Sequence, residues 1–280
     1  MAFSVNTNAG AFIALQSLNS TNSSLSTTQN RISTGLAVGS ARDGASTFAI
    51  AQNIRADVAG LNSSSQGLDR ARSALDVAIN AAEATSDLLI RARELAVAAK
   101  DESLDNTSRD ALNDEFIEII GQIQSINNSA SFNGTNLVGD QTTPTSVQAI
   151  DADGNTVFSI AGVDLTTGAS GLAVAALTID SSGVTAVTNA DAAFTAIETA
   201  IATVNSALSD FGAGFQRLEI QAEFTTRLKD TLEVGIGNLV DADLARESAN
   251  LQALQVRQQL GLQALSIANQ APGSVLALFR

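Results

Sequence analysis

The sequence predicts a mainly α-helical fold: an elongated antiparallel coiled-coil or helical bundle formed by the N- and C-terminal halves, with a small β-rich insertion in the middle. Three observations support this prediction. Apolar residues recur at alternating steps of three and four over several long stretches, as in helices that pack side by side. Gly, Thr, Ser and Val become frequent between residues 131 and 189. Charged side chains are absent before Arg31 and between Arg257 and Arg280, so the two ends resemble each other.

The first long helix is predicted from about Leu61 to Lys100. Leucine or alanine recurs every seven residues from Leu61 to Ala96, and small residues occupy the companion positions, which lets a neighbouring helix approach closely. A helix of about 40 residues is about 60 Å long at 1.5 Å per residue. A helix of that length indicates a rod-like bundle rather than a compact globule.

Two further helices follow the same spacing. One begins near Thr107, which with Asp110 forms a candidate capping box. The other runs from Phe194 to Thr225 without a break in its pattern. The core seam of the bundle is therefore predicted to contain Leu61, Leu68, Leu75, Leu89, Phe194, Ile197, Ile201, Val204, Leu208 and Phe211.

The middle of the chain has the pattern of short strands. The runs Thr156–Ile160 and Gly183–Val187 are rich in β-branched residues, and Asp153-Gly154-Asn155 is a turn sequence. No basic residue occurs between Arg109 and Arg217, whereas acidic residues do, so the middle is acidic. We expect a small β-rich region that faces solvent.

The two ends carry apolar stripes but few charges. Their remaining faces consist of Asn, Gln, Ser and Thr, which predicts helices that pack against other helices on several sides rather than helices with a solvated face. Ordering such a segment costs more backbone entropy than its few large apolar side chains recover. Each end is therefore expected to need the other end and neighbouring chains. The stripes contain Leu15, Leu18, Leu25 and Ile32 at one end and Leu251, Leu254, Leu262 and Leu265 at the other.

Composition excludes several classes of function. The chain has no Cys and no His, so it offers no thiolate or imidazole metal site, no Cys nucleophile and no imidazole base. A net charge of −14 argues against nucleic-acid binding. No apolar run is long enough for a transmembrane helix, and the polar start lacks the pattern of a cleaved secretory signal. We expect no cofactor and no membrane insertion.

Two acidic patterns have alternative interpretations. Asp151, Asp153 and Asn155 resemble a calcium loop, but Gly154 is two positions early and Gly162 stands where the loop needs Glu, so a hairpin turn is the favoured interpretation. Carboxylate pairs such as Asp114 with Glu115 could act in acid–base catalysis. No pocket-forming pattern surrounds them, and the sequence predicts a protein without enzymatic activity.

Several motifs resemble those of bacterial flagellins. They include Arg31-Ile-Ser-Thr-Gly-Leu36, Ser40-Ala-Arg-Asp-Gly-Ala45, Gly60-Leu-Asn62, Arg91-Ala-Arg-Glu-Leu-Ala-Val97, Phe132-Asn-Gly-Thr135, Asp241-Ala-Asp243, Ala268-Asn-Gln-Ala-Pro272 and the final run from Val275. The motifs stand in the family's order and spacing. Many members of that family have large outer domains in the middle, whereas this chain has room only for a small one.

The resemblance implies a structural subunit of the flagellar filament, which is exported unfolded, assembles outside the cell into a helical tube and transmits motor torque. Its implied partners are further copies, an export chaperone on the C-terminal end, and the filament cap and hook-junction proteins. The implied domains are an N-terminal inner-tube helix (1–40), the two halves of a coiled-coil core (41–130 and 190–236), the outward β-rich region (131–189) and a C-terminal inner-tube helix (237–280). The inner-tube subunit contacts would be the eight stripe residues above together with Val275 and Leu276.

The resemblance also suggests a host partner and leaves alternatives open. Arg91, Leu95 and Glu115 stand where flagellins contact an innate immune Toll-like receptor, although the same surface would first pack against neighbouring subunits. One alternative function is a hook–filament junction protein of the same architecture. Another, from a different class, is a secreted coiled-coil adhesin or effector, whose ends would not need to pair.

Overall fold

The computed structural model describes residues 7–180 and 186–277. Long helices dominate it, as predicted, and two small antiparallel hairpins stand between them. The helices are α1 (Ala9–Thr34), α2 (Ala45–Ala99), α3 (Asn106–Ser129), α4 (Ala186–Val240) and α5 (Leu244–Ala277). The strands are β1 (Ser131–Phe132), β2 (Thr135–Asn136), β3 (Ser146–Ile150) and β4 (Thr156–Ala161).

The contacts within the chain divide it into two compact units. The first contains residues 1–56 and 231–280, and the second contains residues 57–230. The predicted boundaries fell after residues 40 and 236, whereas the contacts change near residues 56 and 230. The predicted assignment of these segments to layers of an assembly stays a prediction.

In the first unit, α1 packs along α5. Asn8 caps the start of α1, because its Oδ1 accepts a hydrogen bond from the Ala11 amide at 3.1 Å. Gly35 ends the helix at φ +73, and its amide donates to the Arg31 carbonyl. Only glycine adopts this conformation without steric cost.

The segments that follow α1 and precede α5 pair with each other. Leu36 and Asp241 form an antiparallel bridge, the Ala37 amide donates to the Val240 carbonyl at 2.7 Å, and the Ala242 amide donates to the Gly35 carbonyl at 2.8 Å. These bonds satisfy backbone groups that the helix ends leave free. The two connections of the first unit are therefore tied together.

In the second unit, α2, α3, α4 and the middle segment share one hydrophobic core. Arg91 pairs with Glu115, so α3 lies against the end of α2 from which it turns back. Arg93 pairs with Glu198, and Arg72 lies 5.3 Å from the ring of Phe215, so α4 runs antiparallel to α2.

The predicted helix limits were wrong at several points. The first long helix begins at Ala45 rather than near Leu61, since the heptad pattern weakens toward its start while helical propensity continues. The N-cap of α3 is Asp105, so Thr107 lies in the first turn and forms no capping box there. Helix α4 extends beyond the predicted 194–225 stripe at both ends.

The middle segment has fewer residues in strands than predicted, and more of its apolar side chains are buried. The run Thr156–Ile160 is a strand, paired with β3 across the predicted turn, in which Gly154 has φ +84. In the run predicted at 183–187, residues 186 and 187 are helical, and 183–185 lie outside the described residues. The inner face of the middle segment packs on the helices, since these apolar side chains lie in the shared core: Leu137, Val138, Val147, Ala149, Ile160, Leu165, Leu172, Val174 and Ile179. Residues such as 142–144 and 153–157 are exposed, and the outward position of this region in an assembly stays a prediction.

Small residues on α2 and α4 make room for the β3–β4 hairpin. A Cβ at Gly60 would collide with the Ala152 carbonyl oxygen, and the Ser64 hydroxyl donates to the Ile150 carbonyl. On α4, a Cβ at Gly214 would lie 2.8 Å from Cδ1 of Ile160. The hairpin therefore lies directly against both helices.

Candidate functional site

The helix pair α1 and α5 carries the side chains that the sequence predicts for subunit contacts. The two helices run antiparallel, and the seam between them is narrow. Leu18 is buried, and Leu25, Ile32, Leu251, Leu254 and Leu265 are half-buried along the contact. Gly261 faces Leu18 so closely that a Cβ there would lie 3.3 Å from its Cδ1.

Polar side chains fix the register of this pair. Near one end, Asn8 Nδ2 donates to the Ala268 carbonyl at 2.7 Å, and near the middle Gln258 Nε2 donates to Asn22 Oδ1 at 2.8 Å. At the other end, Arg31 forms an ion pair with Glu247 at 3.2 Å. The Nε of Arg31 is buried without a hydrogen-bond partner. Hydrogen bonds specify one alignment, which a seam of so few apolar residues would not do alone.

Large apolar side chains remain exposed on the other faces of the pair. Two members of the predicted stripes, Leu15 and Leu262, are among them. Phe12 and Ile267 are 67% and 69% exposed. A soluble monomer seldom exposes so many large apolar residues on one pair of helices, and such surfaces mark contacts with other molecules. The exposed set on α1 is Phe12, Ile13 and Leu15, and on α5 it is Leu244, Val256, Leu260, Leu262 and Ile267. The side chains of Val275 and Leu276 lie outside the described residues.

The predicted core seam lies between α2 and α4 in the second unit. The structure buries Leu61, Leu68, Leu75, Leu89, Ile197, Val204 and Phe211, and it places Phe194, Ile201 and Leu208 at the edge of the same core. The guanidinium of Arg93 and the ammonium of Lys100 lie 5.1 Å and 4.7 Å from the ring of Phe194. Basic side chains therefore cover the half-buried aromatic ring.

The three candidate receptor residues do not lie together on the surface. Arg91 and Glu115 are exposed and form an ion pair at 2.9 Å, and Glu94 also contacts Arg91. Glu94 and then Glu115 raise the pKa of the Arg91 guanidinium above its ordinary value. Leu95 is only 4% exposed and belongs to the core. The Leu95 side chain therefore packs inward in this conformation, and the predicted receptor contact stays a prediction.

Sequence patterns missed two buried polar features. Arg109, 4% exposed, donates from Nη1 to the Ala99 carbonyl and from Nη2 to the Asp101 carbonyl, at the end of α2. Asn127 accepts a hydrogen bond from Thr85 and donates to the Leu165 carbonyl at 2.6 Å. In the sequence, Thr85 interrupts a row of alanines spaced seven residues apart in the first long helix. This polar residue in an apolar row was the signal that could have indicated a buried hydrogen bond.

The connection from α1 to α2 is held by a local polar turn. Oδ2 of Asp43 accepts hydrogen bonds from the hydroxyl and the amide of Ser40, both at 2.9 Å. These bonds, the side-chain bond first, lower the pKa of Asp43 below its ordinary value.

Among the described residues, no three His, Cys, Asp or Glu side chains come together as a metal site. Within the same residues, no helix has the length and apolar character needed to cross a membrane. The exposed apolar surface of the α1–α5 pair is therefore the candidate functional site.

Known families match both halves of the chain. Residues 5–143 match the bacterial flagellin N-terminal helical region, and residues 194–279 match the bacterial flagellin C-terminal helical region. The chain belongs to the bacterial flagellin family. It is a structural subunit of the flagellar filament, which is built from many copies of its subunit and lies outside the cell.

Full-length relatives agree with this assignment. The chain is 43% identical to flagellin FljK of Caulobacter vibrioides over 282 residues, covering 99% of this chain and 98% of the relative. It is 35% identical to a flagellin of Brucella melitensis, with 99% of both chains covered. This flagellin and these relatives match over nearly their whole lengths, so these relatives have no large outer domain that this chain lacks.

A solved structure shares the fold. It is described as a putative flagellar hook-associated protein from Vibrio parahaemolyticus, with a TM-score of 0.57 and 15% identity, and it covers 71% of this chain and 100% of its own. At this identity the similarity extends to the fold alone.

Proposed function

We propose that the exposed apolar faces of α1 and α5 are the surfaces through which subunits polymerise. The observation that carries this proposal is the row of large apolar side chains that the α1–α5 seam leaves in water, among them Phe12, Leu15, Leu262 and Ile267. Other copies would cover them with contacts between different patches, which extend into an open helical tube instead of closing. Residues 1–40 and 237–280 would pack around the channel of this tube. The tube would transmit the torque of the motor.

The same proposal includes a role without catalysis. The chain has no His and no Cys, and membership in a structural family supports a mechanical role. We infer that this flagellin binds no cofactor and acts only through its contacts with other proteins.

Export before assembly is the second part of the proposal. The absence of cysteine means that no disulfide has to form or break when the chain travels unfolded. An export chaperone would hold the C-terminal end, since α5 carries apolar residues such as Leu260 and Ile267 that stay exposed even beside α1 and need cover before other copies are available. The filament cap and the hook-junction proteins would then receive the subunit.

A Toll-like receptor is a further proposed partner. The exposed pair of Arg91 and Glu115 could contact a receptor, but the burial of Leu95 removes the third residue from that surface. Receptor binding is therefore proposed for the ion pair only, on subunits that are not in a filament.

A second candidate function is a hook–filament junction protein. The fold shared with the hook-associated structure from Vibrio parahaemolyticus is compatible with it but does not distinguish it from a filament subunit. A junction protein would be present in few copies and would not extend into long tubes. A coiled-coil adhesin or effector is disfavoured because its ends would not need the polar register of Asn8, Asn22 and Arg31.

Seeded polymerisation tests these candidates. Purified chain mixed with short filament seeds should extend into long tubes visible by electron microscopy, whereas a chain lacking residues 241–280 should not. Leu262→Asp should also block extension, because it places a charge in the proposed contact, and Gln263→Asp, at the exposed neighbouring position, serves as the matched control. Long tubes from the truncated chain, or from Leu262→Asp as readily as from the control, would contradict the proposal.

A further inference from the structure

A cleft lies on the surface of α2 between the two hairpins of the middle segment. Its volume is about 260 Å³, which is smaller than the roughly 300–1,000 Å³ of pockets that enclose cofactor-sized ligands. The floor consists of Gly67, Ala71 and Ala74, which stand at steps of four and three on one face of the helix. Phe132 of β1 lies on one side and strand β3 on the other. Since no floor side chain is larger than a methyl group, the floor leaves room for side chains of an incoming segment.

Strand β3 has a free edge. In the described part of the chain it pairs with β4 alone. Directly before the strand, the Gly162 amide donates to the Thr145 carbonyl at 2.7 Å, which sets the alternation of the ladder. In an antiparallel pair, successive residues point their backbone groups toward the partner strand and away from it in turn. The amides and carbonyls of Ser146 and Gln148 therefore point away from β4, and both residues are exposed.

This free edge borders the cleft. Ser146, Val147, Gln148 and Ile150 all line it. The Ile150 carbonyl, which is the next group on the same edge, accepts a hydrogen bond from the Ser64 hydroxyl, so the edge is turned toward α2. A strand edge with unpaired N–H and C=O groups is a template for an added strand. The cleft therefore combines a backbone template with a floor of small residues.

Arg70 supplies the charge of the cleft, since it is the one charged residue among those described as lining it. One Nη of Arg70 lies 4.0 Å from the point where a Cβ of Gly67 would stand, so the guanidinium is close to the floor. The described residues form no ion pair with Arg70. Asp69 points in another direction, because adjacent residues of a helix do not face each other. The positions three and four residues away on α2 are uncharged: Gln66, Gly67, Ser73 and Ala74.

We propose that this cleft binds an extended, acidic segment of a partner protein, which adds to the free edge of β3 as a third, antiparallel strand. The backbone groups of Ser146 and Gln148 bond to the backbone of that segment. Its side chain opposite Val147 shares the buried face of that residue and packs on the floor of alanines. A carboxylate two residues earlier is on the same face at the Ile150 end of the cleft, where it pairs with Arg70 through two hydrogen bonds. The contact does not depend on polymerisation of the chain.

Peptide binding to the full chain, without filament seeds, tests the charge pair. A blocked, fluorescently labelled Glu-Thr-Val-Thr peptide should bind saturably in an anisotropy titration. Gln in place of the peptide Glu, and Arg70→Gln in the chain, should each weaken binding about tenfold, and both together no further than either alone, because they remove the same pair. Arg257→Gln, at an exposed position of α5, makes the same change of charge and should have no effect. The absence of saturable binding, or losses that multiply in the combined experiment, would overturn the proposal.

The backbone of β3 provides a second readout. On addition of the peptide, the NMR signals of the Ser146 and Gln148 amides should shift and their exchange with water should slow, whereas the Val147 and Ala149 amides, which point toward β4, should change less. A peptide methylated on both Thr backbone nitrogens lacks the donors to this edge and should not bind. Binding of the methylated peptide as tightly as the parent peptide overturns the added strand. If the same amides shift with the concentration of the chain alone, a second copy occupies the cleft, which also overturns the proposal.

Discussion

Single residues decide how closely the middle segment approaches the helices. At Gly60, the added methyl of an alanine would meet the Ala152 carbonyl oxygen, which belongs to the backbone and cannot rotate away. The Ser64 hydroxyl, one turn along, donates to the Ile150 carbonyl and holds the same hairpin. Packing of a hairpin turn on a helix thus depends on a position that has no side chain.

We expect Gly60→Ala to destabilise the second unit by about 1–3 kcal/mol, since the hairpin must shift and lose its contact with Ser64. The measurement is urea unfolding followed by circular dichroism, which suits a chain with no Trp and no Tyr. Gly121→Ala is the matched control, because that exposed glycine of α3 has open space where the methyl would lie. The control should be stabilised by about 0.5–1 kcal/mol through the higher helix propensity of alanine. Equal effects of both substitutions would contradict the close approach at Gly60.

The Ser40–Asp43 turn predicts a measurable titration. The hydroxyl of Ser40 is the largest cause that lowers the pKa of Asp43, so Ser40→Ala should raise that pKa toward the ordinary 3.8. A carboxyl with a lowered pKa in the folded state stabilises that state at pH values above the unfolded pKa. This contribution is lost as the pH falls from about 3.8 through the folded pKa. NMR titration of the Asp43 carboxyl carbon measures the shift, and Ser33→Ala, on the exposed face of α1, should leave it unchanged.

At the scale of elements, a buried arginine joins two helices. Arg109 near the start of α3 donates to carbonyls at the end of α2, where the last carbonyls of a helix have no partner within it. The helix dipole is negative at that end, which favours a cation. The turn from α2 into α3 is therefore held by a side chain that also neutralises the helix end.

Loss of this side chain should be costly. We expect Arg109→Ala to destabilise the chain by about 3 kcal/mol, since it removes a buried charged donor and leaves the buried Ala99 carbonyl without it, whereas the exposed Asp101 carbonyl keeps the Leu104 amide as a donor. Arg109→Lys should recover only part of the loss, because an ammonium lacks the planar fork that reaches both the Ala99 and the Asp101 carbonyls. Urea unfolding gives the values, and Arg70→Ala, at an exposed position of α2, should change stability by less than about 0.5 kcal/mol. A loss for Arg70→Ala as large as that for Arg109→Ala would disprove the role of burial.

The heptad spacing of α2, α3 and α4 predicted the helical fold, because apolar periodicity reports burial directly. It could not show that the middle segment would join the same core. Val147, Ala149 and Ile160 alternate as strand residues do, but alternation alone does not say whether their inner face meets a helix or stays in solvent. The hairpin lies against Gly60, Ser64 and Gly67 of α2. Small residues in a helix also occur where a second helix approaches closely, so these three did not identify a strand as the partner.

At the scale of the whole molecule, the seams inside the chain and the seams between chains obey the same spacing rule. Leu18 and Leu262 both lie in the predicted terminal stripes, yet the first is buried within the chain and the second faces solvent. The sequence shows that both belong to helix–helix contacts, but it does not show whether the partner is the same copy or another. The structure separates the buried positions from the exposed ones, and we propose that the exposed positions with heptad spacing contact a second copy. On this proposal, folding and assembly of this flagellin use the same spacing, and the intermolecular contacts are found among the positions that the intramolecular contacts leave exposed.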